Sequence, residues 1–170
     1  MEGTNQAPEA SARVAAMRDG QTRVGPLAHL PRLLRDLDQD PETVLWGAGI
    51  DPRLLDDREE PIDCEVLGRI LAHCAASTGC EHFGLLLGQC CGVADLGLLG
   101  LVLRHAPHVE GALRDLVRHL PVQDRGLVGT LVVEGDRAFL AFGTCRPAVA
   151  GVRQIYDLAL AMRYNLMREL

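Results

Sequence analysis

Lysine is absent from this 170-residue chain, and all 17 of its basic residues are arginine. That removes the amine of a Schiff-base enzyme and the lysine of a phosphate-cradling P-loop. Serine occurs only at Ser11 and Ser77, and neither sits in a G-x-S-x-G setting, so nothing marks a serine nucleophile. Aromatic residues make up 4% of the chain, too few for a surface that stacks bases or sugars. Positive charge is also short. The net charge is −6 at pH 7, whereas a free-standing nucleic-acid binder carries a basic patch. Residues 1–25 hold no apolar run of the kind found in secretory signals. The chain is therefore expected in the cytoplasm with reduced thiols, and its six cysteines imply no disulfide framework.

What is present fits one folded domain. Hydrophobic residues are 48% and charged residues 24%, ordinary proportions for a globular protein of this length. One apolar run, residues 83–103, approaches membrane-spanning length, but Gln89 and Asp95 interrupt it. Gly84, Gly88 and Gly92 recur there every four residues. That stripe lets two helices approach closely, so no membrane contact is expected.

Residues 1–25 are polar and read as a disordered tail, with the folded domain spanning 26–170. Leu27, Leu30, Leu34 and Leu37 repeat at helical spacing. Asp40-Pro41 and Asp51-Pro52 are two helix starts, each with a capping acid and a proline suited to the first helical position. Further helices are predicted over 63–77, 82–89 and 96–105. The last of these is nearly all apolar and hence expected to be central. Pro107 is expected to open a helix through Leu120. The period then changes. Residues 127–133 and 138–142 are β-prone and flank Gly135-Asp136, a tight-turn signature. A final helix runs from 152 to the last residue. The predicted class is α+β: a predominantly helical domain with a small antiparallel hairpin covered by helices. A lone hairpin is marginal in water, so the sheet is expected to be incomplete at the C-terminal end.

Taken in order, the stretches HLPRLLRDLDQDPETVLWGAGIDPRLLDD (29–57), HFGLLLGQ (82–89), DLGLLGLVLRHAPHVEGALRDLVRHL (95–120) and LVVEGDRAFLAF (131–142) resemble the N-terminal domain of AraC-type transcription regulators of the arabinose-binding-like class. The resemblance covers residues 27–170. It implies a domain that senses a small-molecule effector and forms a homodimer. It also implies a C-terminal helix-turn-helix domain that would contact DNA. This sequence stops at Leu170 without one, so it looks truncated, and no direct nucleic-acid contact is expected from these residues. The alternative is a bare oligomerisation module, or a decaying gene fragment, without independent activity.

The chemistry-bearing residues are sparse. His73, Cys74, Cys80 and His82 match no common zinc spacing, and no metal or cofactor is expected. Cys90-Cys91 would sense redox state only with a lowered thiol pKa. Asp56-Asp57 and Glu59-Glu60 read as solvated loop charge, and the chain is read as a non-enzyme. A ligand site would combine apolar walls with a few convergent polar groups. Leu99 and Phe142 are candidate walls, and His105 and Tyr156 candidate polar groups. Ordinary core or rim positions are the competing reading of all four.

Overall fold

A computed structural model describes residues 17–170. Part of the tail expected over 1–25 lies outside them. The rest, 17–25, belongs to the fold, which corrects the boundary expected at Pro26. Met17 and Val24 are buried, and strand β1 (Gln21–Arg23) pairs antiparallel with β2 (Pro61–Asp63). Backbone groups rather than apolar side chains hold this strand. The Val24 N–H donates to the Glu60 carbonyl at 3.0 Å, and the Arg125 N–H donates to the Gln21 carbonyl at 2.7 Å. Arg23 is only 2% exposed. Its guanidinium donates to the Val122 carbonyl at 3.3 Å and the Glu59 carbonyl at 3.0 Å, and it pairs with the Glu59 carboxylate. A buried charge is tolerable only with partners of this kind.

A 3-10 turn (Gly25–His29) leads into helix α1 (Leu30–Asp36). Helix α2 (Pro41–Gly47) starts as the Asp40-Pro41 pair predicts, with Asp40 accepting from the Thr43 N–H at 2.9 Å. Asp51 caps a second, 3-10 turn (Pro52–Asp56) by accepting from the Arg53 N–H at 2.9 Å. Helix α3 (Cys64–Thr78) ends on Gly79, whose φ of 67° few other residues adopt. Then follow α4 (Phe83–Gln89), a 3-10 turn (Val93–Leu96), α5 (Gly97–Arg104), α6 (Val109–Gln123), the hairpin β3 (Leu127–Glu134) and β4 (Arg137–Thr144), and α7 (Val152–Glu169). The described residues thus form an α+β, mostly helical domain with two two-stranded antiparallel sheets.

Two helices differ from expectation. α6 starts at Val109 rather than Pro107, and it continues through Pro121 to Gln123. Pro121 sits in the last turn, where it lacks the N–H that would bond back to the Val117 carbonyl. α5 is not central. Leu99 and Leu103 are buried, but Leu98 and Leu101 are 66% and 56% exposed. The helix packs one stripe inward and shows its other apolar side to solvent.

The glycine stripe performs the close approach its spacing predicts. A Cβ on Gly84 would strike the backbone of Gln154, and one on Gly88 would strike the backbone of Leu158. Helix α7 therefore lies nearly against the α4 backbone. Polar clamps hold it there. Gln154 accepts from the Gly84 N–H at 2.6 Å and donates to the Glu81 carbonyl at 2.7 Å. Asn165 donates to the Gln89 carbonyl at 3.0 Å and the Cys91 carbonyl at 2.8 Å. No single helix among the described residues is long and apolar enough to cross a membrane, and α4 meets the segment Val93–Arg104 at a 94° bend.

The hairpin turns at Gly135-Asp136 with Gly135 at φ 62°. Its register opposes Leu127 to Thr144, Gly129 to Phe142 and Leu131 to Leu140. These alternate positions face inward, and Leu131, Leu140 and Phe142 pack against the core. Val128, Val132 and Phe139 face outward and are exposed.

Candidate functional site

Where β1, α3, the end of α6, β3 and α7 converge, they enclose a cavity of about 40 Å³. Apolar side chains make most of its wall, among them Leu27, Leu67, Leu120, Leu158 and Met162. They come from different helices because each contributes its i, i+3, i+4 face to one centre. Five polar residues enter this wall: Thr22, Arg23, Gln123, Asp124 and Arg163.

Asp124 is already well partnered. It accepts from the Gly126 N–H at 2.7 Å, the Leu127 N–H at 2.9 Å and the Thr22 hydroxyl at 2.9 Å. Burial nevertheless pushes its carboxyl above the usual carboxylate value, against the opposing pull of those bonds. Arg163 is half-buried, with its guanidinium 4.1 Å from the centre of the Phe142 ring. Burial lowers its pKa, and the nearby Asp124 charge works in the other direction. Gln123 is 8% exposed, and its carboxamide makes no hydrogen bond among the described residues.

A larger hollow of about 540 Å³ lies between α3 and the loop over 146–150. It is a surface groove, and the Arg146–Glu65 ion pair at 3.2 Å lies along it. Convergent polar groups on an apolar wall distinguish the smaller cavity.

None of the four candidate ligand residues lines that cavity. Leu99 is a buried core residue on α5. His105 is exposed beyond the end of α5, with its Nδ1 2.8 Å from the Leu101 carbonyl. Tyr156 is 39% exposed, and its hydroxyl accepts from the Thr144 N–H at 3.4 Å. Phe142 comes nearest, as the ring beneath Arg163. Gln123, Asp124 and Arg163 escaped the sequence reading. Their available signal was a polar pair at the end of an amphipathic helix, and an arginine one residue past the buried Met162.

His73, Cys74, Cys80 and His82 do not gather. Cys74 is buried in the core and His82 is exposed. A different trio does converge. The ligand atoms of His29, Cys91 and Asp95 lie within 4.8 Å of one another. The Asp95 carboxylate is already engaged by His29 Nε2 and the Arg58 guanidinium, both at 2.8 Å, and by the Gly92 N–H at 2.8 Å. A guanidinium on the same oxygen repels a cation, so the cluster acts as a latch on the bend between α4 and α5. Burial raises the thiols of both Cys90 and Cys91, the opposite of what a redox sensor needs.

A family model described as the arabinose-binding domain of AraC transcription regulators, N-terminal, matches residues 39–170. No curated protein matches the chain.

Proposed function

Because this chain belongs to the family of arabinose-binding, N-terminal domains of AraC transcription regulators, a ligand-sensing regulatory domain, we propose that it binds its small-molecule effector in the cavity between α6, β3 and α7. The single observation that carries this reading is the cavity itself, a largely apolar wall onto which Gln123 brings a carboxamide that makes no hydrogen bond among the described residues.

The cavity's 40 Å³ holds about three water molecules, whereas small-molecule sites run to about 300–1,000 Å³. An effector must therefore enlarge it. The α4 side of α7 has no room, since backbone meets backbone there. Expansion falls on α6 and the hairpin. The mechanism is a population shift: the effector favours the opened arrangement because only that arrangement contacts it. In the regulator, this change would alter how an attached DNA-binding domain is presented. The reading places the chain in the cytoplasm and assigns it no catalytic role.

Calorimetry of the full chain against a broad panel of small metabolites tests the site. Saturable binding of one compound is expected, and it should disappear when Ala159→Leu fills the cavity. Binding that survives that substitution would move the site elsewhere.

A second observation favours pairing. Helix α7 exposes Tyr156, Leu160, Tyr164 and Met167, with Leu160 at 67%. These positions recur every three or four residues, so they form one apolar stripe. The reading is a homodimer joined along this stripe, whether or not an effector is bound. Light scattering should give twice the chain mass, falling to one mass for Leu160→Asp. A monomer in the unaltered protein would end this reading and leave the effector site untouched.

A further inference from the structure

The polar groups of the cavity restrict the chemistry of what binds there. Arg163 has no carboxylate within ion-pair distance among the described residues. Its one hydrogen bond is to the Ala159 carbonyl in its own helix, at 3.4 Å. A guanidinium carries five N–H donors in a fixed fork, so most of its donors lack a protein acceptor. Gln123, on the same wall, offers a further N–H pair with no partner. The nearest acid, Asp124, already accepts three hydrogen bonds. Every other charged or polar group on this wall is committed. Arg23 is held by Glu59 and the Val122 carbonyl, and the Thr22 hydroxyl donates to Asp124.

A sugar would need acceptors and donors distributed around its whole rim. This wall provides donors at one end and hydrocarbon elsewhere, from Leu27, Leu67, Leu120 and Leu158. We propose that the effector is a small carboxylic acid with an apolar body, its carboxylate held by the Arg163 guanidinium and the Gln123 carboxamide and its hydrocarbon lying among the leucines. Arginine and carboxylate match as a two-pronged, charge-assisted pair. Asp124 keeps the site from holding a second negative charge, which limits the ligand to a monoacid. This inference rests on the cavity being the sensor site.

Hexanoate and hexanamide share a body and differ in charge, so they separate the head group from the pocket. Thermal shift and calorimetry on the unaltered chain, with both probes, octanoate and L-arabinose, form the test. Hexanoate and octanoate should raise the unfolding temperature saturably, with hexanamide at least about tenfold weaker, the scale of one charge-assisted bond. Arg163→Gln should erase the difference between acid and amide, with folding checked by circular dichroism. The comparison of probes on the unaltered chain stands even if that variant fails to fold. Equal binding of the amide, or binding of arabinose alone, would overturn the acid while leaving the cavity as the sensor site. Binding of none of the four would overturn the acid as well, and the fate of the sensor site would then rest on the broad panel.

Discussion

Helix α7 has two buried faces, and they are built in opposite ways. Against α4, glycine lets backbone touch backbone, and Gln154 and Asn165 satisfy polar groups on both sides. Against α6 and the hairpin, the same helix leaves a cavity, a guanidinium with one weak internal bond, and an unbonded Gln123. The first face is saturated in contacts and hydrogen bonds. The second is unfinished in both. A helix that must transmit a signal needs a fixed pivot on one side and room on the other. This division gives α7 both, because close-packed interfaces shift between discrete arrangements rather than yielding gradually.

The contrast can be broken hardest at the pivot. Gly88→Val would drive a branched side chain into the Leu158 backbone, an overpacking expected to cost about 3 kcal/mol or more. Chemical denaturation of the variant reads this directly. A stability equal to that of the parent would mean α7 is not pinned here. Next comes Gln154→Ala, which strands the Gly84 N–H and the Glu81 carbonyl. Each orphaned group costs about 1–3 kcal/mol when buried, so the unfolding temperature should fall by several degrees. The two sides should also differ under exchange with heavy water. Amides of α4 and of α7 should exchange slowly, while those in the outer half of the hairpin exchange much faster. Equal protection would erase the distinction between the faces.

On the open side the effects are smaller and partly favourable. Ala159→Val adds two methyl groups next to the cavity and should change stability by under about 1 kcal/mol in either direction. A loss approaching that of Gly88→Val would show the cavity to be as rigid as the pivot. The smallest expected effect is a pH dependence. Burial holds the folded-state pKa of Asp124 above its ordinary value of 3.8. The folded chain then binds that proton more tightly than the unfolded one. Its contribution is most favourable below 3.8 and is lost as pH rises through the higher folded value. Asp124→Asn can keep accepting from the Gly126 and Leu127 N–H groups and donate to Thr22. It should therefore flatten stability against pH over that window. An unchanged slope would assign the titration to another group.

Local chemistry made much of this fold legible. The Asp40-Pro41 and Asp51-Pro52 starts, the Gly135-Asp136 turn and the glycine stripe each act over a few residues or one helical repeat, so sequence spacing carries them. Distant pairing did not show. β1 lies in a polar stretch, and its partners stand some 40 and 100 positions further along the chain. The apolar content of α5 suggested a central helix because hydrophobicity without a polar face gives no direction for burial. At the site, the sequence pointed to Leu99 and Phe142 as apolar walls and to His105 and Tyr156 as polar groups. The polar groups lining the cavity include Gln123 and Arg163 instead. Both are polar residues bordering buried faces, and only the meeting of α6 with α7 places them on one wall.

The pairing of Thr22 with Asp124 joins residues 102 positions apart. A ribosome adds about 5–20 residues per second, so roughly 5–20 s pass between making the first strand and making its second partner. Through that interval Arg23 lacks the Val122 carbonyl, and the strand has at most the edge supplied by Pro61–Asp63. The first strand of the described residues is thus among the last to be completed.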